Sequence, residues 1–458
     1  MENNSDNSTS SNFSDQSKED QSDLPDEFTN LIQVNRSPSK FVNAIHFATQ
    51  KFMLSKYWVI FLSLAIIINL ILIICTNFLS EFEEIQFIGF DLDNTLINYH
   101  IGELCVLVFN SIMRYIVKQQ DYNNSLLALS YDPKIILKGS VIDREKGNIL
   151  KIDSKKQIVQ AHHGTQSENL DLSIYDINEL FRYEGNTSDR WWSIYSYFEL
   201  SMASVYLNLV DQIDKNVIPK FPYIKIKELI FNSLLFNFLT FENGFYYREI
   251  EKNPSKYIKR SKKTQKLLLQ FKKEKKIVFF ITNSNVEYGK FVLKYALGEN
   301  FSELFNFQVY HASKPRFFCE RSPFRTTENT KKPLLKIELS GEYVGGNHGD
   351  LMKQFLDYSK KFQVSSKVAY FGDHLISDIK ESKKFAFWKT ILIIEEMNND
   401  KSKEKWGSCF GTKEEGSTFM TKLINSYSDY VVINLDEFYD DYTSKKLKDN
   451  NIKKLSKN

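Results

Sequence analysis

FIGFDLDNTL, Phe87 to Leu96, is the stretch that decides the fold. Four apolar or glycine positions run straight into two aspartates, Asp91 and Asp93, with Thr95 close behind. A short apolar run with a polar stop reads as a strand buried on both faces. Alternate residues of a strand point to the same side, so the two carboxylates can converge as the chain turns. One carboxylate can attack phosphorus and form an aspartyl phosphate. The other can protonate the leaving alcohol and then deprotonate the attacking water. Placing them side by side also helps to keep one protonated. A bare DxD would read equally well as a capped βα loop, so the weight falls on partners further along the chain.

Four further strands are expected: KIVFFITNS from Lys276, KVAYFGD from Lys367, KTILIIEE from Lys389 and VVINL from Val431. Helix-like segments such as TQKLLLQFKKEKK from Thr264 and KQFLDYSKKF from Lys353 lie between them. Strands that end in polar clusters and alternate with helices predict an α/β fold, Rossmann-like, with a parallel sheet and ligand chemistry at the strand C-termini. Residues 84–98 and 276–438 are read as this catalytic core. The long block between them, residues 99–275, is read as an inserted cap domain. It contains a helix-like run from Trp191 and a stretch, GNILKIDSKKQIVQAHHG from Gly147, that looks like a β-hairpin.

Three later elements supply partners for the aspartates. In ITNSN, Thr282 follows a strand end, where its hydroxyl and nearby backbone N–H groups can hold a phosphate oxygen. A helix N-cap explains TNS equally well. In HASKP, Lys314 can neutralise phosphate and nucleophile together; a solvated surface lysine is the plain alternative. In YFGDHLISD, Asp373 and Asp378 follow a strand, and Asp373 is placed to bind a hard cation through oxygen. Mg²⁺ favours one or two carboxylates plus substrate phosphate and water. The alternative is an N-cap Asp373 with Asp378 facing solvent.

In this order the four elements resemble the haloacid-dehalogenase (HAD) superfamily, and the wider context resembles its 5'-nucleotidase branch. NPSKYIKRS, FITNSNVEYGKFVLKYALG, KPRFF, YVGGNHGDL and YFGDHLISDI all look like that branch, over about residues 85 to 435. The resemblance implies Asp91 as nucleophile and Asp93 as acid/base. It implies Mg²⁺ held by Asp91, the backbone carbonyl of Asp93, and Asp373. It implies phosphate contacts from Thr282, Asn283 and Lys314, and support from Asp378 and from a loop of Gly345, Gly346 and Asn347. His162 and His163 match only the insert and are read as structural. The implied substrate is a small phosphorylated molecule, a nucleoside monophosphate in the 5'-nucleotidase reading.

Outside the core the sequence changes character. Residues 1–35 are rich in Ser, Asn, Asp and Glu and are expected to be disordered. Tyr57 to Leu79 is an apolar run without charge between Trp58 and Cys75, long enough for one transmembrane helix. Arg36, Lys40, Lys51 and Lys56 precede it, and Glu81, Glu83 and Glu84 come after it. The positive-inside rule therefore favours a lumenal or extracellular catalytic domain, whereas the family resemblance favours a cytosolic one. Sequons at Asn123, Asn186 and Asn300 test the lumenal alternative. Residues 439–458 are read as a Lys-rich tail.

A net charge of +3 gives no support for nucleic-acid binding. The four cysteines, Cys75, Cys105, Cys319 and Cys409, form no CxxC pair, so neither a zinc site nor a redox motif is indicated. Two other functional classes remain open: a membrane-anchored HAD-type protein phosphatase, and a non-catalytic scaffold that kept the fold. A large insert favours a small, sequestered substrate over a protein loop. A scaffold needs none of Asp91, Asp93, Lys314 or Asp373.

Overall fold

The structure is a computed structural model, and it describes residues 82–166, 170–175, 189–239, 244–399, 406–412 and 416–444. The expected polar tail at 1–35, the expected membrane helix at 57–79 and residues 445–458 lie outside them. Among the described residues no helix is long and apolar enough to cross a membrane.

The core opens with β1 (Phe87–Phe90). The insert comes next, with helix α1 (Ile101–Gln119), strands β2 (Val141–Asp143), β3 (Asn148–Ile152), β4 (Ile158–His163) and β5 (Trp191–Ser193), then helices α2 (Tyr197–Asp214), α3 (Ile226–Leu239) and α4 (Phe245–Lys252). The core resumes with α5 (Lys262–Lys273), β6 (Ile277–Ile281), α6 (Val286–Leu297), β7 (Phe307–Tyr310), β8 (Phe324–Thr326), β9 (Gly341–Gly345) and α7 (His348–Phe362). It ends with β10 (Val368–Gly372), two wide helical turns at Leu375–Lys380 and Ser382–Ala386, β11 (Lys389–Ile393), α8 (Phe419–Tyr427) and β12 (Tyr430–Val432).

The eight core strands form one sheet in the order β8-β9-β7-β6-β1-β10-β11-β12. Every neighbouring pair is parallel except β8 with β9. β1 lies between β6 and β10, with Phe90 opposite both Phe280 and Phe371. The chain leaves β1 toward β6 and β7 on one side and returns to β10 and β11 on the other. The C-terminal end of β1 is thus the topological switch point, where open α/β sheets form their ligand crevice.

β1 can be central because its residues suit burial on both faces. Phe87 stacks on Phe355 of α7, centroids 4.1 Å apart. Phe90 points the other way and stacks on Phe371 at 4.9 Å. Between them Gly89 leaves room for its neighbours: a Cβ there would lie 2.5 Å from the Phe279 ring and 2.8 Å from the Tyr370 ring.

The insert has its own four-stranded antiparallel sheet, β4-β3-β2-β5, beside helices α1 to α4. The expected hairpin is present as β3 and β4. The run from Trp191 is not one helix. Trp191–Ser193 pair as β5, and α2 starts only after Ser196, where Ser196 and Glu199 form a reciprocal capping box. The neck of the insert is a short antiparallel pairing of Asn98–Tyr99 with Ile258–Lys259. Helix α5 therefore lies beyond the neck, packed beside β6 with the core. The core also continues past residue 438: residues 435–444 are helical, and Tyr442 is buried against Phe82 and Phe438. Strands β7, β8 and β9 were not among the expected ones.

Candidate active site

The site grows from the turn after β1. Asp91 still belongs to the ladder, its N–H donating to the Phe371 carbonyl at 2.8 Å, and its side chain leaves the sheet at the switch point. Lys314 comes from the loop after β7, where His311 and Ser313 take positive φ values of 47° and 61°. Its Nζ donates to Asp91 Oδ1 at 2.6 Å, to Asp378 Oδ1 at 2.6 Å and to the Tyr370 hydroxyl at 3.1 Å. The lysine side chain is 2% exposed and that of Asp378 1%. Burial works to lower the Lys314 pKa, but the carboxylates of Asp378 and Asp91 overcome it and hold it well above the usual lysine range.

Asp373 follows β10 and Asp378 sits in the first wide turn after it. Gly372 makes that turn fit, since a Cβ there would come within 2.4 Å of the Asp378 Cβ. Asp91, Asp373 and Asp378 each offer an oxygen within 4.8 Å of the others. Burial, then the charges of Asp91 and Asp378, push the Asp373 pKa well above the usual carboxylate range. Burial and the charge of Asp378 likewise raise Asp91 to about 6, against the pull of Lys314. Three carboxylates facing one lysine leave two negative charges uncompensated when all are ionised, which is the charge of one divalent cation. An all-oxygen donor set of this kind suits a hard cation such as Mg²⁺.

Asp93 is held apart from this group. Its Oδ2 accepts from Ser284 Oγ at 2.6 Å, and its Oδ1 accepts from the Tyr99 hydroxyl. Burial raises its pKa to about 6, opposed by those two hydrogen bonds. Thr282 is buried at the end of β6; its hydroxyl accepts from the Ser284 N–H at 3.0 Å, as an N-cap-like turn would require.

Other expected residues have side-chain or backbone roles in the loops around the site. The Asn283 side chain is spent on Lys314: Oδ1 accepts from the Lys314 N–H at 2.6 Å and Nδ2 donates to its carbonyl at 2.9 Å. Asn347 caps α7, accepting from the Asp350 N–H at 2.9 Å and donating to the Ser322 carbonyl at 2.7 Å. Gly346, at φ 93°, packs under the Phe324 ring. Both belong to the β9–α7 turn, where the Asn347 amide also donates to Asp350 Oδ2 at 2.9 Å. His163 bridges Asn148 and Asp214 at 2.7 and 2.8 Å, and His162 sits edge-on to Trp406, both structural positions. Asp378 does not face solvent, so it belongs at the centre. Sequence reasoning missed Tyr99, Ser284 and Tyr370. Ser284 lay within the ITNSN stretch; nothing local marked the two tyrosines.

The insert reaches this crevice. Glu199 of α2 lies 3.8 Å from the ring of His374, the residue after Asp373. Lys138, buried in the insert, pairs with Glu396 of the core at 2.9 Å and lies over the Tyr197 ring at 3.5 Å.

Residues 73–402 match the 5' nucleotidase family. The human 5'-nucleotidase domain-containing protein 1 is 31% identical over 330 residues, covering 68% of this chain and 72% of its own. The bovine protein of the same name is 30% identical over 367 residues, covering 74% and 80%. The chain belongs to the 5' nucleotidase family. As a member of that family it is a phosphomonoester hydrolase. Among solved structures, one titled a predicted phosphoglycolate phosphatase from Haemophilus somnus aligns over 78% of this chain and 96% of its own, at 12% identity and a TM-score of 0.30. The four motifs that carry the family resemblance converge on the crevice at the end of β1.

Proposed function

We propose that this protein hydrolyses a nucleoside monophosphate by way of an aspartyl phosphate, with Mg²⁺ as cofactor. The observation that carries the reading is the convergence of Asp91, Lys314, Asp373 and Asp378 on the switch point of the sheet.

An oxygen of Asp91 attacks phosphorus in line with the ester oxygen. The P–O ester bond breaks, and Asp93 gives its proton to the departing oxygen. Asp93, now ionised, takes a proton from water, and that water attacks the phosphorus. The bond from phosphorus to Asp91 breaks, releasing inorganic phosphate and restoring both aspartates. Lys314 holds Asp91 in place and offsets phosphate charge, while Thr282 shapes the turn below it. Asp91 and Asp373, with the Asp93 carbonyl, would hold Mg²⁺, with Asp378 beside them. When bound, the ion supplies positive charge to the phosphoryl oxygens. The insert screens the site from bulk water, which favours a small substrate.

The apolar run at 57–79 would tether the enzyme to a membrane, with the side left to a topology test at Asn123 and Asn300. For the chemistry, the full chain is assayed with a panel of nucleoside monophosphates and Mg²⁺. Turnover of at least one, abolished in Asp91→Asn, is expected. No Mg²⁺-dependent turnover of any phosphomonoester would sink the reading.

A further inference from the structure

We propose that Tyr99 and Ser284 are positioning residues that hold the Asp93 carboxyl for proton transfer to the leaving oxygen, and that Tyr288 and Tyr246 extend this restraint into the insert. The inference rests on the hydrolase reading of the same site.

Asp93 is gripped at both oxygens by residues from different parts of the fold. Tyr99 belongs to the neck where the chain enters the insert, and it reaches Oδ1. Ser284 belongs to the turn between β6 and α6, and it reaches Oδ2 at 2.6 Å. A carboxyl with one partner can still rotate about its Cβ–Cγ bond. Two donors on opposite oxygens fix its plane, and general acid catalysis depends on that plane meeting the leaving oxygen. Ser284 is itself restrained through its N–H on Thr282.

The restraint on Tyr99 has depth. Its hydroxyl lies 2.9 Å from that of Tyr288 on α6, which lies 3.3 Å from that of Tyr246 on α4. All three rings are buried. A phenol has one proton to donate. With the Tyr99 proton committed to Asp93, Tyr288 donates to Tyr99 and Tyr246 to Tyr288. Asn285 adds a second brace, bonding the Tyr288 N–H at 2.8 Å and the Tyr247 hydroxyl at 3.0 Å. The chain thus links a core helix, the neck and an insert helix to one oxygen of the acid.

Acid assistance matters most when the leaving oxygen is basic, so leaving-group dependence separates positioning from general damage. The full chain is assayed with Mg²⁺ on 4-nitrophenyl phosphate, a good leaving group, and benzyl phosphate, a poor one. The quantity compared is kcat/KM, which covers steps up to phosphoryl transfer to Asp91 and not the later hydrolysis. In Tyr99→Phe and Ser284→Ala the ratio of the two values is expected to shift at least tenfold against benzyl phosphate. Tyr288→Phe shifts it in the same direction by less, and Ser284→Thr restores it. Equal losses on both esters in the Tyr99 and Ser284 variants would overturn the positioning role. Should Tyr99→Phe not fold, Ser284→Ala against Ser284→Thr decides on the same ratio. A wild type inactive on both esters and on the whole nucleoside monophosphate panel overturns the hydrolase reading itself, whereas an active wild type whose variants keep its ratio overturns only this inference.

Discussion

Asn283 and Lys314 are joined by both ends of one side-chain amide. Oδ1 accepts the Lys314 N–H at 2.6 Å, and Nδ2 donates to the Lys314 carbonyl at 2.9 Å. The residue that resembles a phosphate contact in sequence is, in the fold, the clamp on the lysine loop. That loop takes left-handed backbone values at His311 and Ser313, so it gains from an external brace. Asn283→Ala is expected to lower kcat by about 10- to 100-fold, the scale of a small misplacement of a charged group. Stability should fall by only about 1–2 kcal/mol, for two hydrogen bonds. Asn283→Asp keeps the acceptor for the Lys314 N–H and should recover part of the loss. Steady-state kinetics beside urea melts would check both; unchanged kcat in Asn283→Ala would refute the clamp.

The carboxylate cluster makes a prediction that needs no substrate. Asp91, Asp373 and Asp378 repel one another across less than 4.8 Å with a single lysine between them. A divalent cation relieves this repulsion in the folded state only, so Mg²⁺ should raise the melting temperature. By mass action the gain is about 2.7 kcal/mol at a hundredfold excess over Kd. Asp373→Asn removes one of the negative ligands and should abolish most of that shift. Calorimetry with and without EDTA reads it directly, and an equal Mg²⁺ shift in Asp373→Asn would remove Asp373 from the metal site.

How much of this was legible in the sequence depends on how far apart the cooperating residues lie. β1, β6 and β10 are continuous apolar runs with polar stops, so their burial on both faces was readable, and with it the placement of Asp91, Thr282 and Asp373. β7, β8 and β9 are short and include Gln308, Arg325 and two glycines. They are strands because the sheet offers them partners, a tertiary cause that local pattern cannot show. Gly346 and Asn347 were attached to the site by resemblance, yet their geometry is explained by a tight turn and a helix cap. Ser284 meets Asp93 across 191 positions of sequence. The Tyr288–Tyr99 contact spans 189. Neither could be read from spacing.

Gly89 makes the crowding at the centre of the sheet testable. It lies on β1 opposite Phe279 and Tyr370, and an added Cβ would fall 2.5 and 2.8 Å from those rings. Both rings are buried, so they have little room to yield. Gly89→Ala should cost about 1–3 kcal/mol through overpacking. Displacing Tyr370 would also disturb its 3.1 Å contact with Lys314, so activity should fall by more than the unfolded fraction accounts for. Comparing kcat with the folded fraction by circular dichroism separates the two effects. A variant of unchanged stability would contradict the crowding at this strand.

Lys227 offers a pH test away from the catalytic centre. It lies in the first turn of α3, with its Nζ 4.8 Å from the Trp192 ring and 5.4 Å from the Phe231 ring. Burial and the nearby Arg144 lower its pKa to about 8, while Glu199 and Asp189 oppose the shift. The helix N-terminus also disfavours a cation. Linkage sets the sign. Between about pH 8 and about 10.4, the usual lysine pKa, the unfolded chain binds more protons at this residue than the folded one. This residue's contribution to stability therefore rises with pH through that window, and below it the penalty for burying the charge is complete. Lys227→Met removes the penalty but also the cation–π contact, leaving a net gain of about 1–2 kcal/mol at pH 7. That advantage should shrink steadily from pH 8 to 10. Urea melts of both proteins across this range provide the measurement. A variant less stable than wild type at pH 7, or an advantage that grows with pH, would show that Lys227 is not held in the folded protein as a disfavoured cation.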